Sequence, residues 1–575
     1  MIAIRSRNIS THGGGKSKRW GKDKEERQKE NVWTRDQDLV GKLKAQERER
    51  NTWSSTFFLA YGSLGVIYGD IGTSIIYVFG QIFVNTDLTQ SADVTVDIYG
   101  AVSLIFWTLT LIALFKYVFV VLRANDTGEG GTVALYAQLC RTMGFSPFGT
   151  MRTEDHKQVL ALRSAGGKMY ARPTLGEHRH RAPQAAAPKQ AAKTKRPVIL
   201  PYEPYFGFLC LEPWYINSLF RRNRWAQRSL MVFTMIATGL VIGDGILMPA
   251  FSVNSAIAGI DQHGGEAIDN GAIVGITIAV IVVLFLTQHF GTQKLAYLFT
   301  PIIILWLTAN LAIAIYNLRT YGGAVFQGLS PYWIYRFFLK YGGRQAWIML
   351  SGVMLCVAGV ETMFAAMGHF SQPAVAIAFG LFAYPCLMIA YLGQGAYLIA
   401  HPQDAQNAYF ASVPEPVFWP MLVLATLAAI VASQAVITGT FSIIRQATSL
   451  GVFPRLRIVH TDSFVEGQIF IPVINYTLMV LCIVVVAGFG GDAVRLGDAY
   501  GVAVMAVMLI TTVLVTLIMI AKWRASLLIC IPFLFFFVFI EGVFLGSTMY
   551  KVPSGGGVPI AVSFFVVIIL CVWWA

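Results

Sequence analysis

Tyr68-Gly69-Asp70-Ile71-Gly72-Thr73-Ser74 places one carboxylate inside an otherwise apolar run from about Phe57 to Phe83. An ionisable group at bilayer depth costs roughly 2.5–3.5 kcal/mol on insertion scales, so it generally marks an ion or proton pathway. Gly69 and Gly72 flank the acid, and glycine is a residue at which a membrane helix unwinds. The expectation is a first span broken at Gly69-Asp70-Ile71-Gly72, with its carboxylate at the midplane, which is the pattern of a cation site. The competing reading is an Asp that pairs with a buried Lys or caps a half-helix.

Working outward, the composition agrees with a membrane setting. The chain has 575 residues, 55% of them hydrophobic and only 13% charged, where a soluble protein carries nearer a quarter charged residues. Apolar stretches recur throughout, which reads as an all-α polytopic membrane protein. The net charge of +13 is concentrated in the first 50 residues and between Arg152 and Arg228. Such segments are expected on the cytoplasmic side. A basic tail beside a membrane span sets topology or touches anionic lipid more simply than it binds nucleic acid. The seven cysteines show no CxxC and no metal-ligand spacing, so neither a zinc site nor a disulfide framework is indicated. No cleavable signal precedes Phe57, and the first span is expected to serve as the insertion signal.

Twelve spans are expected, at about 57–83, 98–122, 229–260, 271–289, 295–317, 346–367, 373–399, 417–447, 469–488, 498–520, 526–548 and 557–575. An even number puts both termini on one side, the cytoplasm. Residues 1–56 read as a basic cytoplasmic tail, 57–575 as the transmembrane unit, and 123–228 as a long cytoplasmic loop without the strand or helix periodicity that would suggest a catalytic domain. The middle of that loop, from Ala182 to Lys195, is rich in Ala, Pro, Gln and Lys and reads as a flexible linker. Loops carrying Asp87, Asp93, Asp97, Asp261, Glu266, Asp269, Asp404 and Glu415 fall on the opposite side. The basic run Arg336, Lys340 and Arg344 breaks this charge rule.

The sixth span contains Ala358-Gly359 followed by Glu361, so two glycine-interrupted spans five apart each carry an acid. That is the pointer to an inverted-repeat transporter with its site between the broken spans. Asp70 supplies negative charge for a desolvated cation, and Thr73, Ser74 and Tyr77 supply neutral oxygens. Tyr77 lies two helical turns after Asp70, on the same face of a continuous helix. Glu361, an acid within an apolar bundle, is a candidate proton carrier; the alternative is a structural interhelix hydrogen bond. Glu129, in Gly128-Glu129-Gly130-Gly131, sits in an irregular turn at the cytoplasmic mouth, with a functional and a structural reading equally open. Asp244, in Gly243-Asp244-Gly245, either lines the pathway or caps the segment ahead of Pro249. No phosphate loop and no nucleophile–base arrangement is present, so an enzyme is not indicated. No repeated filter-like segment points to a channel.

These motifs, with Gln288-His289-Phe290-Gly291-Thr292, Ala432-Ser433-Gln434-Ala435, Phe441-Ser442-Ile443-Ile444-Arg445-Gln446 and Glu466-Gly467-Gln468-Ile469, resemble in order and spacing those of the Kup/HAK/KT family of potassium uptake permeases. The resemblance covers roughly residues 57–575. It implies the LeuT-like fold of the amino acid–polyamine–cation superfamily, with inverted five-helix repeats plus two further helices. It also implies potassium uptake coupled to protons at the plasma membrane, with potassium and proton as the transported species, no separate cofactor, and a possible homodimer. By this resemblance Asp70, Tyr77, Ser252 and Tyr500 fall on ion-coordinating positions, Glu361 on the proton-coupling position and Glu129 on an acid of the proton path. The chain departs from the family pattern where Met248 and Ala358 replace threonines, Ala366 an aspartate and Ile75 a proline. The family's cytoplasmic domain beyond the last span is not represented. The departures at Met248 and Ala358 motivate two alternatives, a non-transporting sensor or scaffold and a transporter of a different small solute.

Overall fold

The computed structural model describes residues 53–126, 128–143, 223–262, 269–288, 292–454, 456–460 and 469–574. The basic tail to residue 52, most of the loop between the second and third spans with its Ala182–Lys195 linker, His289 to Gly291, Glu266, Arg455 and Glu466 to Gln468 lie outside them. Among the described residues, ten helical stretches are long and apolar enough to cross a membrane. A bent pair, Leu59–Gly65 with Ile67–Ile76, makes an eleventh, and the shorter apolar helix Gly557–Trp573 stands where the twelfth is expected.

Helix starts follow local chemistry. Asp93, Asn223, Asp492 and Ser526 each cap a span by accepting a hydrogen bond from a first-turn N–H. Pro472 opens the ninth span, where its missing N–H is harmless. The spans sort into an inner bundle and an outer shell. The most apolar windows of the third and sixth spans are 83% and 94% buried, whereas those of the fourth, ninth and eleventh are only 28% buried. Val283, Leu305, Trp419, Phe535, Phe539 and Phe564 face outward, as expected of a lipid-contacting surface.

The all-α architecture holds, and a two-residue ladder, Val459–His460 antiparallel to Ile469–Phe470, lies beyond the eighth span. Two expectations need correction. The stretch read as one long loop begins with a helix, Thr132–Met143, which packs against the third and tenth spans. Leu135, Tyr136 and Leu139 of this helix are buried, and burial pushes the Cys140 thiol up to about 12. The basic run before the sixth span is itself helical: Tyr332–Val353 turns at Gly342, and Lys340 pairs with Asp97 at 2.7 Å. The lysine that breaks the charge rule is therefore neutralised at the start of the second span.

Candidate functional site

The first span does not break at Asp70. The helix Trp53–Thr73 runs through it and gives way to a tighter turn, Ser74–Ile76, before Val78–Phe83. A 48° bend lies earlier, between Gly65 and Ile67. The reason lies in the use of the glycines. A Cβ on Gly69 would sit 2.9 Å from the backbone of Ala432, so this glycine admits the eighth span rather than a kink. Carbonyls freed near the turn are satisfied by neighbours, as an apolar interior demands. Trp306 Nε1 donates to Gly72 O at 2.9 Å and Gln394 Nε2 to Ile75 O at 3.0 Å.

The sixth span breaks where the sequence indicates. Its first helix tightens at Met354–Val357, Ala358 is extended, Gly359 is left-handed at φ 89°, and Val360–Ala365 resumes the helix. Only glycine takes that φ without strain. The missing side chain also makes room, because a Cβ on Gly359 would lie 2.7 Å from the Asp70 carboxyl carbon. The carboxylate of the first span therefore rests in the break of the sixth.

Around this contact the structure brings together most of the expected residues. Tyr500 of the tenth span donates to Asp70 Oδ1 at 3.3 Å. Tyr77 lies within electrostatic reach of Asp70 and beside Thr73; its buried hydroxyl has no hydrogen-bond partner among the described residues. The Phe251 ring packs on Tyr77 at 4.4 Å and on Tyr500 at 5.8 Å. Thr73 and Ser74 donate back into their own helix, to Asp70 O and Ile71 O, and Ser74 also shares a hydrogen bond with Tyr391. Asp70, Thr73 and Tyr500 are fully buried, which closes the group from solvent.

The third span, Arg224–Ile257, passes unbroken through Asp244 and Pro249, so Asp244 does not cap a segment. Asp244 instead faces Asp70 and Glu361, and its Oδ1 is unpartnered among the described residues. Met248 and Ser252 follow at one-turn intervals on the same face, both buried, with the Ser252 hydroxyl likewise unpartnered. Among the described residues, Tyr77 of the first span and Asp244 and Ser252 of the third thus present unpartnered oxygens in a dry interior. Such atoms normally have partners, and a desolvated cation is a ligand that this donor set suits.

Glu361 accepts a hydrogen bond from Tyr117 of the second span. Glu129 stands apart, in a turn closed by reciprocal backbone bonds with Asp126, where it pairs with Arg445 of the eighth span. Sequence reasoning missed Lys116 and Glu541, a fully buried ion pair joining the second and eleventh spans. The rule that singles out Asp70, a charge within an apolar run, applies to both.

The chain matches the description "K+ potassium transporter integral membrane domain" over residues 57–575. It is 40% identical over 530 residues to Potassium transporter 5 of Manihot esculenta, covering 92% of this chain and 59% of that protein. It is 40% identical over 515 residues to Potassium transporter 1 of Arabidopsis thaliana, covering 90% of this chain and 66% of that protein. The chain therefore spans about three fifths to two thirds of the length of these relatives. With the helical membrane architecture, these matches establish that the chain belongs to the K+ potassium transporter family, a family of integral membrane transporters rather than enzymes.

Proposed function

We propose that this chain imports potassium ions by secondary active transport, in symport with protons. The observation that carries the reading is the closed cluster in which Asp70, held by Tyr500, lies in the break of the sixth span beside unpartnered oxygens. A carboxylate among hydroxyls suits a monovalent cation stripped of water, and relatives of this chain bear the name potassium transporter. Asp70, Tyr77 and Tyr500 coordinate the ion, with Thr73 and Ser252 as neighbouring oxygens and Asp244 on the path. Glu361 and Glu129 serve the proton, with Asp70 titrating against the cation.

The energetics are adequate. A thousandfold potassium gradient corresponds to about 4 kcal/mol, and one charge crossing 100 mV returns about 2.3 kcal/mol. A proton adds a second charge and any pH gradient. The broken first and sixth spans support a two-repeat design, in which one bundle rocks about the site. Residence in the plasma membrane, cytoplasmic termini and a homodimer belong to the same proposal.

The test is rubidium uptake by cells lacking their own potassium uptake systems, at acid and neutral external pH. Uptake is expected to rise as external pH falls and to disappear in Asp70→Asn at normal surface level. Normal uptake by that variant would refute the assignment of the site, and a surface-expressed chain without uptake would turn the reading to a sensor or another solute.

A further inference from the structure

The second span changes its winding where it meets the interior. Val94–Thr108 is α-helical and Leu109–Val118 is π-helical, a wider turn that often accompanies functional positions. Two consecutive residues, Lys116 and Tyr117, are both fully buried there, and each meets a different acid. Lys116 pairs with Glu541 of the eleventh span and also donates to Met508 O at 3.2 Å. Tyr117 donates to Glu361 of the sixth span. Thr512 donates to the other oxygen of Glu541 at 2.5 Å, and Thr511 stands beside Glu361. Lys116 and Glu541 both lie within electrostatic reach of Glu361.

A fully buried ion pair is a poor device for stability, because desolvation offsets the attraction and apolar residues of similar volume often do as well. The arrangement has a clearer consequence for charge. Two carboxylates and one ammonium sum to one negative charge, and a dry interior disfavours net charge. One added proton brings the set to neutrality. We propose that Lys116, Glu541 and Glu361 form one proton-holding unit, so that the transported proton belongs to the triad and not to Glu361 alone. This rests on the reading of Glu361 as the proton carrier and assigns Lys116 and Glu541 as its positioning residues. Asp244 of the third span also faces Glu361; like Tyr117, it is unchanged in the variants below and cancels from the comparison.

Charge counting gives an order of effects that a packing role does not. Glu541→Gln leaves Lys116 and Glu361, which are neutral together without a proton, so coupling is lost although Glu361 is intact. Lys116→Met with Glu541→Gln leaves Glu361 alone, which again needs one proton for neutrality, so coupling returns. The full chain is reconstituted in vesicles with an internal pH dye, and rubidium uptake is compared at acid and neutral external pH. Wild type is expected to show an acid-to-neutral uptake ratio above one and proton entry on adding rubidium. In Glu541→Gln the ratio falls to one and proton entry stops, and in the double variant both recover. In parallel, infrared difference spectra of purified protein over the same pH interval read carboxyl protonation without requiring transport. The protonated-carboxyl band is expected to weaken in Glu541→Gln and to return in the double variant. A Glu541→Gln chain without uptake is judged on this band. Wild-type coupling in Glu541→Gln, or a folded double variant lacking both proton entry and the band, overturns the triad. A wild-type chain that moves no rubidium but shows the band pattern refutes the transport reading and leaves the triad standing.

Discussion

Met248 shows what one side chain does to the proposed site. It stands one turn after Asp244 and one turn before Ser252 on a continuous helix, fully buried, so under the proposed assignment its thioether takes the place of the threonine hydroxyl that the family resemblance implies. Sulfur is a weak ligand for a hard ion, which prefers oxygen. Met248→Thr is therefore expected to lower the rubidium KM several-fold with little change in the maximal rate, measured by uptake over a concentration series. An unchanged KM would place Met248 outside the ion's coordination sphere. The opposite change is expected at Tyr500, where Tyr500→Phe removes the hydroxyl that holds Asp70 at 3.3 Å. A lost hydrogen bond to a charged group is worth about 1.5–3 kcal/mol, so rubidium affinity is expected to fall roughly tenfold or more. Wild-type affinity in that variant would show that Tyr500 does not orient the carboxylate.

At the scale of elements, the sixth span is the hinge-like piece. Gly359 holds φ 89° while giving space to Asp70. An L-residue in left-handed geometry costs about 1–2 kcal/mol, and a Cβ there also displaces the carboxylate. Gly359→Ala is thus expected to lower the melting temperature and abolish rubidium uptake, read by thermal unfolding and by flux; full uptake would refute the contact as an ion-site element. This break was legible because Ala358-Gly359 stands directly before an acid in an apolar run. The break of the first span was misplaced because a glycine in sequence does not say whether its missing side chain serves bending or close approach, and Gly69 serves the approach of Ala432. Asp244 was legible as an acid in an apolar run, but its direction was not, since both faces of that span are apolar and buried. Ser252 and Tyr500 were reached through the family resemblance alone. Lys116 and Glu541 are single charges 425 positions apart, and only the packed bundle shows that each is the other's partner.

At the scale of the whole molecule, the proposed transport by alternating access requires that the contacts closing one end of the bundle should break. Contacts at the end where the second, sixth and eighth spans meet join elements that are far apart in sequence. Glu129 pairs with Arg445, Gln446 Nε2 donates to Gly130 O at 3.1 Å, and Gly368 at the end of the sixth span lies against the Glu129 side chain. Both members of the ion pair are partly exposed, so the pair contributes only about 1 kcal/mol. That is still close to a fivefold change in the balance of two nearly equal conformations. Glu129→Lys converts the attraction into repulsion and is expected to favour the state open at this end. Rubidium uptake should fall, and a cysteine introduced at Ser252 should be labelled faster from that side of the membrane. The reciprocal pair Glu129→Lys with Arg445→Glu restores an attraction of reversed polarity. It should recover the slow labelling of the closed state. If labelling recovers but uptake does not, the carboxylate at position 129 also serves the proton, because only a position-specific role survives the repair of the ion pair. Fast labelling in the reciprocal variant would show instead that the pair does not close this end.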